Sequence, residues 1–120
     1  MAEHNITGNY GEELAKEYLI KKGYEIIALN WRIRHLEIDI IAKHKNKIVF
    51  VEVKTRSKEL WGHPSDAITK SKQRYLVNAA NEYLIINEID NEARFDVITI
   101  ITDNKNLSIE HFENAFYPEL

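Results

Sequence analysis

Alternating hydrophobicity predicts two adjacent strands in the first half of the chain. Successive side chains of a strand point to opposite faces, and residues 36–42 and 48–56 are rich in Ile and Val, as buried strands are. The short polar segment 44–47 between them predicts a hairpin. Within both strands the apolar pattern is interrupted by charged residues: Glu37, Asp39, Glu52 and Lys54.

The period of two predicts the face on which each charge lies. In the first strand, Asp39 is expected to share a face with Glu37 and Ile41, while Ile38 and Ile40 share the other. Charges on an otherwise apolar face cost several kcal/mol unless they are paired or bind a metal. The hairpin would bring Asp39 beside Glu52. In the second strand one face is expected to hold Ile48, Phe50, Glu52 and Lys54.

The remaining pattern predicts two helices and three further strands. Apolar residues at helical spacing predict helices over residues 12–22 and 66–86, with a loop over 60–65 and Ser65 as N-cap of the second helix. Period-two segments predict strands over 24–33, 94–101 and 107–112. The order α-β-β-β-α-β-β predicts an α/β fold, a three-layer sandwich with a mixed central β-sheet flanked by helices.

Length and composition predict a single soluble domain. The chain has 120 residues, of which 44% are apolar and 29% charged, so residues 1–120 are expected to form one domain with its own core. It has no cysteine, which excludes disulfides and thiolate catalysis. No apolar segment approaches the roughly 20 residues of a membrane helix, and the N-terminus lacks a signal-peptide pattern. We therefore expect a cytoplasmic protein without membrane contact.

Charge is distributed unevenly along the chain. The formal net charge is −3, yet residues 54–74 contain six basic and two acidic residues, a net charge of +4. A solvated loop and helix face is the usual explanation of such a segment. Because this one begins inside the charged strand, it also predicts a side of the molecule that faces phosphate.

The charged strand residues suit metal-assisted hydrolysis of phosphodiesters. Two carboxylates on neighbouring strands, Asp39 and Glu52, offer the oxygen ligands that Mg²⁺ or Mn²⁺ prefers. Lys54 follows Glu52 on the same face, where an ammonium can hold or activate the attacking water. The competing explanation is an ion pair of Lys54 with either acid inside the sheet, and short motifs of this kind often arise in that way.

The whole set of motifs resembles a known family. Asp39 followed by Glu52-Val53-Lys54 is similar to the signature of the PD-(D/E)XK nuclease superfamily, whose fold is restriction-endonuclease-like. Nearly the whole chain resembles the YraN-like family of bacterial proteins, which is similar to archaeal Holliday junction resolvases. Leu36 departs from the glycine that this family often has. The matching segments are Gly8-x-x-Gly11-Glu12-Glu13-Leu14-Ala15, Gly23-Tyr24, Asn30-x-Arg32, Glu37-Ile38-Asp39, Phe50 to Arg56, Gly62-x-Pro64-x-x-Ala67, Lys72-Gln73, Arg94-Phe95-Asp96-Val97 and Asn114-Ala115-Phe116.

The resemblance implies roles for the residues of the charged strands. Asp39, Glu52 and the backbone carbonyl of Val53 would bind Mg²⁺ or Mn²⁺. Lys54 would orient or activate the attacking water. Glu12 would approach the same site from the first helix, and would complete a catalytic set of Glu12, Asp39, Glu52 and Lys54.

Further residues receive roles from the same resemblance. Glu37 would be either another metal ligand or an ion-pair partner of Arg32 or Arg34. Arg94 and Asp96 would form a structural pair that ties a late strand to the sheet. Lys72 and Gln73 would contact backbone phosphate or support the site. Together with basic residues of the segment 54–74, the residues expected to contact nucleic acid are Arg56, Lys70, Lys72, Gln73 and Arg74.

Three hypotheses follow for function. The first is a metal-dependent endonuclease that cuts DNA, with branched DNA and a homodimer implied by the resolvase analogy alone. The second is a nucleic-acid- or protein-binding module on a nuclease scaffold, which the acidic net charge favours because it weakens attraction to phosphate. The third is an α/β domain whose charges form a structural network.

Overall fold

The computed structural model describes residues 9–57 and 68–118 and shows one sheet with helices against it. The predicted Ser65 cap, the loop over 60–65 and the Gly62–Ala67 motif lie outside the described residues. Neither described helix is long and apolar enough to cross a membrane. The elements are α1 (Asn9–Lys21), β1 (Glu25–Ile33), β2 (Leu36–His44), β3 (Lys47–Ser57), α2 (Lys70–Ile86), β4 (Ala93–Asp103) and β5 (Asn106–Phe112).

The five strands form one mixed sheet in the spatial order β1-β2-β3-β4-β5. β3 and β4 pair in parallel, and the other neighbouring pairs are antiparallel. A parallel pair needs a long crossover connection, and the segment containing α2 supplies it. The predicted α/β fold and its order α-β-β-β-α-β-β are therefore confirmed.

The turn between β2 and β3 is as short as a hairpin allows. His44 pairs with Lys47, and the two residues between them, Lys45 and Asn46, have φ angles of 52° and 66°. Two consecutive left-handed residues make the hairpin turn whose twist matches that of the strands. The predicted hairpin is confirmed, and it fixes the register that places Asp39 near Glu52.

The helices cover opposite faces of the sheet. Ile48 and Phe50 of β3 pack in a core cluster with Leu76, Ala79 and Tyr83 of α2, which we call the α2-side core. The alternate β3 residues Val49 and Val51 pack with Ala15 and Leu19 of α1, in the α1-side core. Because β3 is buried on both faces, the molecule is a three-layer sandwich.

The predicted alternation in β2 is wrong at Asp39. Ile38 and Ile41 both pack in the α2-side core, whereas Ile40 packs in the α1-side core. Regular alternation would have placed Ile38 with Ile40, so the strand changes phase between them. Asn30 of β1 lies between the residues paired with Ile38 and Ile40, and it has a left-handed φ of 51°. Both strands are thus irregular at the same level, beside Asp39.

The second helix begins later than predicted. Thr69 has extended backbone angles and its hydroxyl accepts a hydrogen bond from the Lys72 N–H at 3.1 Å, so it is the N-cap of α2. Ile68 precedes this cap and is not helical, although the predicted helix started at residue 66. The apolar spacing extends through Ile68 because that side chain packs in the α2-side core from outside the helix.

A buried ion pair ties the start of β4 to its surroundings. Arg94 donates to both carboxylate oxygens of Asp96, at 3.0 and 2.8 Å, and both residues are almost fully buried. Arg94 also donates to the Tyr24 hydroxyl, and Asp96 lies 2.7 Å from His111 Nε2. Although burial opposes ionisation, the bonds from His111 and Arg94 keep the pKa of Asp96 below its usual value. The predicted pairing of Arg94 with Asp96 is confirmed.

Replacing Asp96 by asparagine should destabilise the fold strongly. In Asp96→Asn the buried Arg94 charge loses its hydrogen-bonded counter-ion and keeps only the exposed Glu113 carboxylate at 3.8 Å, so the free energy of unfolding should fall by about 3–5 kcal/mol. Urea denaturation at neutral pH measures the loss. Asp90→Asn, at an exposed aspartate after α2, is the control and should change stability by less than about 0.5 kcal/mol. Equal effects of the two substitutions would contradict the structural role of the pair.

Candidate active site

The site forms where the pairing of β2 with β3 ends. Successive pairs run from His44 with Lys47 to Ile40 with Val51. Beyond them, the Val53 N–H donates to Asp39 Oδ2 at 2.9 Å, so a side chain accepts where a strand carbonyl would otherwise do so. The Asp39 carboxylate is thereby held against β3, and the predicted proximity of Asp39 to that strand is confirmed.

Glu52 lies in this opening with two lysines. Its side chain is only 8% exposed, and its Oε2 is 3.7 Å from Lys54 Nζ and 3.7 Å from Lys72 Nζ. Lys54 reaches it from the same face of β3, as predicted, and Lys72 reaches it from the first turn of α2. The Lys72 ammonium also lies 4.4 Å from the centre of the Tyr75 ring. Lys72 therefore faces the buried acid from a second element of the fold.

Burial and a neighbouring acid change the ionisation of Glu52. Burial, and after it the Asp39 charge, raise the pKa of Glu52 to about 7, against the opposing effect of Lys72 and Lys54. The two lysines therefore do not fully compensate the negative charge of the site.

A third carboxyl reaches the same place from α1. Glu12 lies in the first turn of that helix, and burial together with the Asp39 charge raises its pKa. Its carboxyl accepts a hydrogen bond from the Asn30 amide and lies beside Asp39. The structure thus brings together Glu12, Asp39 and Glu52, which the resemblance implied as a set.

Glu37 is engaged differently from Asp39. Its carboxylate pairs with Arg32 Nη2 at 3.3 Å, the second of the two roles expected for it. Its backbone N–H donates to the Tyr75 hydroxyl at 2.8 Å, and that hydroxyl donates to the His35 carbonyl at 3.0 Å. Tyr75 of α2 therefore fixes the entry of β2. Glu37 contributes to the raised pKa of Glu12, but its carboxylate is bound to an arginine.

Of the residues expected to contact nucleic acid, Lys72 is the one that the structure places against the carboxylates. Lys70 and Arg74 are exposed on the first turns of the same helix. Arg56 is half-buried near the end of β3, two residues after Lys54. Gln73 donates its side-chain amide to the Ile68 carbonyl at 3.3 Å, so it supports the start of α2.

The donor set fits a hard divalent cation. Asp39, Glu52 and the Val53 carbonyl are oxygen donors, which Mg²⁺ and Mn²⁺ prefer. Across residues 9–57 and 68–118, no group of three or more acidic or histidine side chains is already spaced to hold a metal. Mg²⁺ characteristically binds through one or two carboxylates and keeps several waters, so two carboxylates suffice.

Two residues of the site were not identified from the sequence. Asn30 was noted only as part of a motif, although its amide bonds Glu12 beside Asp39. Asparagine within an apolar strand was the available signal, because asparagine tolerates a left-handed φ better than most residues do. Tyr75 has the helical spacing of the apolar residues of α2, and nothing in that spacing distinguishes a packed ring from one whose hydroxyl bonds β2.

The amino-acid sequence is similar to a large group of bacterial proteins. Residues 11–100 match the profile of the uncharacterised protein family UPF0102. A UPF0102 protein of Flavobacterium psychrophilum is 51% identical over 117 residues, which cover 98% of each chain. A UPF0102 protein of Bacteroides thetaiotaomicron is 47% identical over 120 residues, covering 100% of this chain and 99% of that protein. A third, from Christiangramia forsetii, is 48% identical over 117 residues.

Removing the Glu52 charge should change how stability depends on pH. The pKa of Glu52 is about 7 in the folded chain and near 4.5 in the unfolded chain. Its stabilising contribution to the free energy of unfolding is therefore fully present below pH 4.5 and is lost as the pH rises through 7. In EDTA, the melting temperature of Glu52→Gln should therefore exceed that of the parent chain, by a difference that grows between pH 5 and pH 7. A pKa unit is worth about 1.4 kcal/mol, so the gap above pH 7 should be on the order of 10 °C.

The control for this measurement is Glu110→Gln, at an exposed glutamate of β5. Its melting temperature should follow that of the parent chain at every pH. A constant offset for Glu52→Gln over the whole range would contradict the raised pKa, because only a titrating group produces a gap that grows with pH.

Proposed function

This chain belongs to the uncharacterised protein family UPF0102, and from its site we propose that it is a metal-dependent endonuclease that hydrolyses phosphodiester bonds of DNA. One observation carries the proposal. A break in strand pairing holds Asp39 against Glu52, while two lysines from different elements converge on Glu52 Oε2. Carboxylates and ammonium groups gathered in this way are costly for a fold and useful for phosphoryl chemistry.

The residues present fit Mg²⁺ or Mn²⁺, with Asp39, Glu52 and the Val53 carbonyl as ligands and Glu12 as a further acid nearby. A bound ion would polarise the scissile phosphodiester as a Lewis acid and neutralise developing charge. The raised pKa of Glu52 supports this assignment, since a divalent cation would relieve the same repulsion that a proton now relieves.

In this proposal the two lysines position the attacking water and the scissile phosphate. Lys54 holds the attacking water beside Glu52, because its ammonium is already 3.7 Å from that carboxylate. Lys72 is mounted on a different element and is 36% exposed at its side chain, so it binds a non-bridging oxygen of the scissile phosphate. The exposed Lys70 and Arg74 extend positive charge along α2 and hold the adjacent backbone.

The resolvase resemblance extends the proposal to the shape of the substrate. Branched DNA, such as a four-way junction, is the substrate that it favours, and two symmetric cuts would require a homodimer. The net charge of −3 predicts weak non-specific binding, so recognition of DNA shape would contribute to substrate choice.

A cleavage panel tests this function. Labelled four-way junction, flap, linear duplex, single-stranded DNA and RNA are incubated with Mg²⁺ or Mn²⁺. The parent chain should cut DNA only with metal, and Asp39→Asn and Lys54→Gln should each reduce cutting by at least roughly 100-fold. Asp39→Asn is nearly isosteric, Lys54→Gln removes the ammonium but keeps a polar side chain, and thermal melts establish that both variants are folded.

The matched control is Lys43→Gln, at an exposed lysine near the hairpin end of β2. It removes the same charge as Lys54→Gln but should cut like the parent chain. Cutting that persists in Asp39→Asn would contradict the proposal. Absence of cutting on every substrate, with Mn²⁺ binding unaffected by Asp39→Asn, would overturn the nuclease and favour the binding module.

A further inference from the structure

A polar cavity lies at the other end of the sheet from the carboxylates, beside the β2–β3 hairpin. Its volume is about 350 Å³, within the usual range of small-molecule sites, which is roughly 300–1,000 Å³. His44 follows Asp39 by five residues of β2, so the two sites are separated by roughly 16 Å along the strand. The residues that line it are Tyr18, Lys22, Tyr24, His44, His111 and Glu113.

Four aromatic rings form the wall of this cavity. Tyr24 stacks on His44 with ring centres 3.9 Å apart and planes 6° apart. Tyr18 meets His111 edge to face, with centres 5.5 Å apart. Tyr24 and His111 are tilted against each other at 5.8 Å. Tyr24 and the His111 side chain are each only 5% exposed, so the flat surfaces that a planar ligand could contact are the half-buried rings of Tyr18 and His44.

The buried network beneath the cavity fixes these rings in place. Arg94 donates to the Tyr24 hydroxyl and, at 3.3 Å, to His44 Nδ1. Asp96 lies 2.7 Å from His111 Nε2. A wall held from behind by a nearly fully buried ion pair is preorganised, so a ligand would bind without paying to order it.

The same bonds determine which hydrogen-bonding groups remain for a ligand. Because His44 Nδ1 accepts from Arg94, its proton is on Nε2, which is a donor. His111 Nε2 lies 2.7 Å from Asp96, so that nitrogen is occupied by the carboxylate. Lys22 and the half-exposed Glu113 add one charge of each sign to the lining. The cavity thus offers donors, His44 Nε2 and Lys22, and an acceptor, the Glu113 carboxylate.

We propose that this cavity binds an unpaired nucleobase. A base is a planar ring with donors and acceptors along its edge. The rings of the wall suit its faces, and the donors and the acceptor of the lining suit its edge. A bare phosphate would meet the Glu113 carboxylate. The class of ligand rests on the proposed function, since nucleic acid is the substrate of the carboxylate site.

The position of the cavity gives this binding a consequence for the substrate. A separation of roughly 16 Å corresponds to about five stacked nucleotides at 3.4 Å each. A base held there would come from a strand that is unpaired a few nucleotides from the cut. The cavity therefore selects DNA with single-stranded or distorted segments next to the cleavage position, such as junctions and flaps.

Calorimetric titration of the full chain in EDTA tests the site without any cleavage. The probes are the four deoxynucleosides, their 5′-monophosphates, inorganic phosphate, and short single-stranded and duplex oligonucleotides. At least one deoxynucleoside should bind, and Tyr18→Leu should weaken it about tenfold. Lys22→Ala should weaken it by a few fold, whereas Lys21→Ala, one residue earlier and outside the lining, should not.

The outcomes separate this inference from the proposed nuclease. Asp39→Asn should leave nucleoside binding unchanged, so a failure of cleavage does not affect it. A folded parent chain that binds no deoxynucleoside overturns the inference, as does affinity that neither Tyr18→Leu nor Lys22→Ala alters. Stronger binding of inorganic phosphate than of any nucleoside also overturns it. Oligonucleotide binding that is tighter for single strands than for duplexes identifies a strand, not a free nucleotide, as the source of the base.

Discussion

The hydrogen bond from the Val53 N–H to Asp39 Oδ2 is the interaction on which the site depends. A strand normally satisfies its N–H groups with carbonyls of its neighbour, and here a side chain does so instead. The substitution lets β2 separate from β3 just beyond Ile40 without leaving a buried donor unpaired. The opening between the strands accommodates the Glu52 side chain, and the Asp39 carboxylate lies beside that side chain.

The two charged clusters of the molecule differ in how well their charges are matched. Arg94 and Asp96 form two direct hydrogen bonds, and each is bonded further by neighbouring groups, so the pair is electrostatically satisfied. Glu52 has its lysines only at 3.7 Å and a second acid beside it. A buried network in which every charge is hydrogen-bonded stabilises the fold. A cluster whose charges are incompletely paired, beside partly exposed lysines, is typical of functional sites. This contrast supports different roles for the two clusters.

Much of the architecture was predictable because local patterns and tertiary packing agree. The turn at Lys45 and Asn46, the order of elements and the mixed sheet all follow from periodicity and turn residues. Predictions were wrong where a local rule competed with packing. The start of α2 was placed too early because Ile68 is buried like a helix residue although Thr69 caps the helix after it.

The sequence by itself identified the unusual residues, which are acids and a lysine within two strands. These strands are otherwise so apolar that unpaired charges in them would be unfavourable. The resemblance of the sequence motifs also indicated the pairing of Arg94 with Asp96, which forms two direct hydrogen bonds. Only the tertiary structure decided that β2 changes phase at Asp39 and that Asn30 and Tyr75 support the site. Periodicity describes one strand at a time, whereas these features arise from bonds between elements that are distant in the chain.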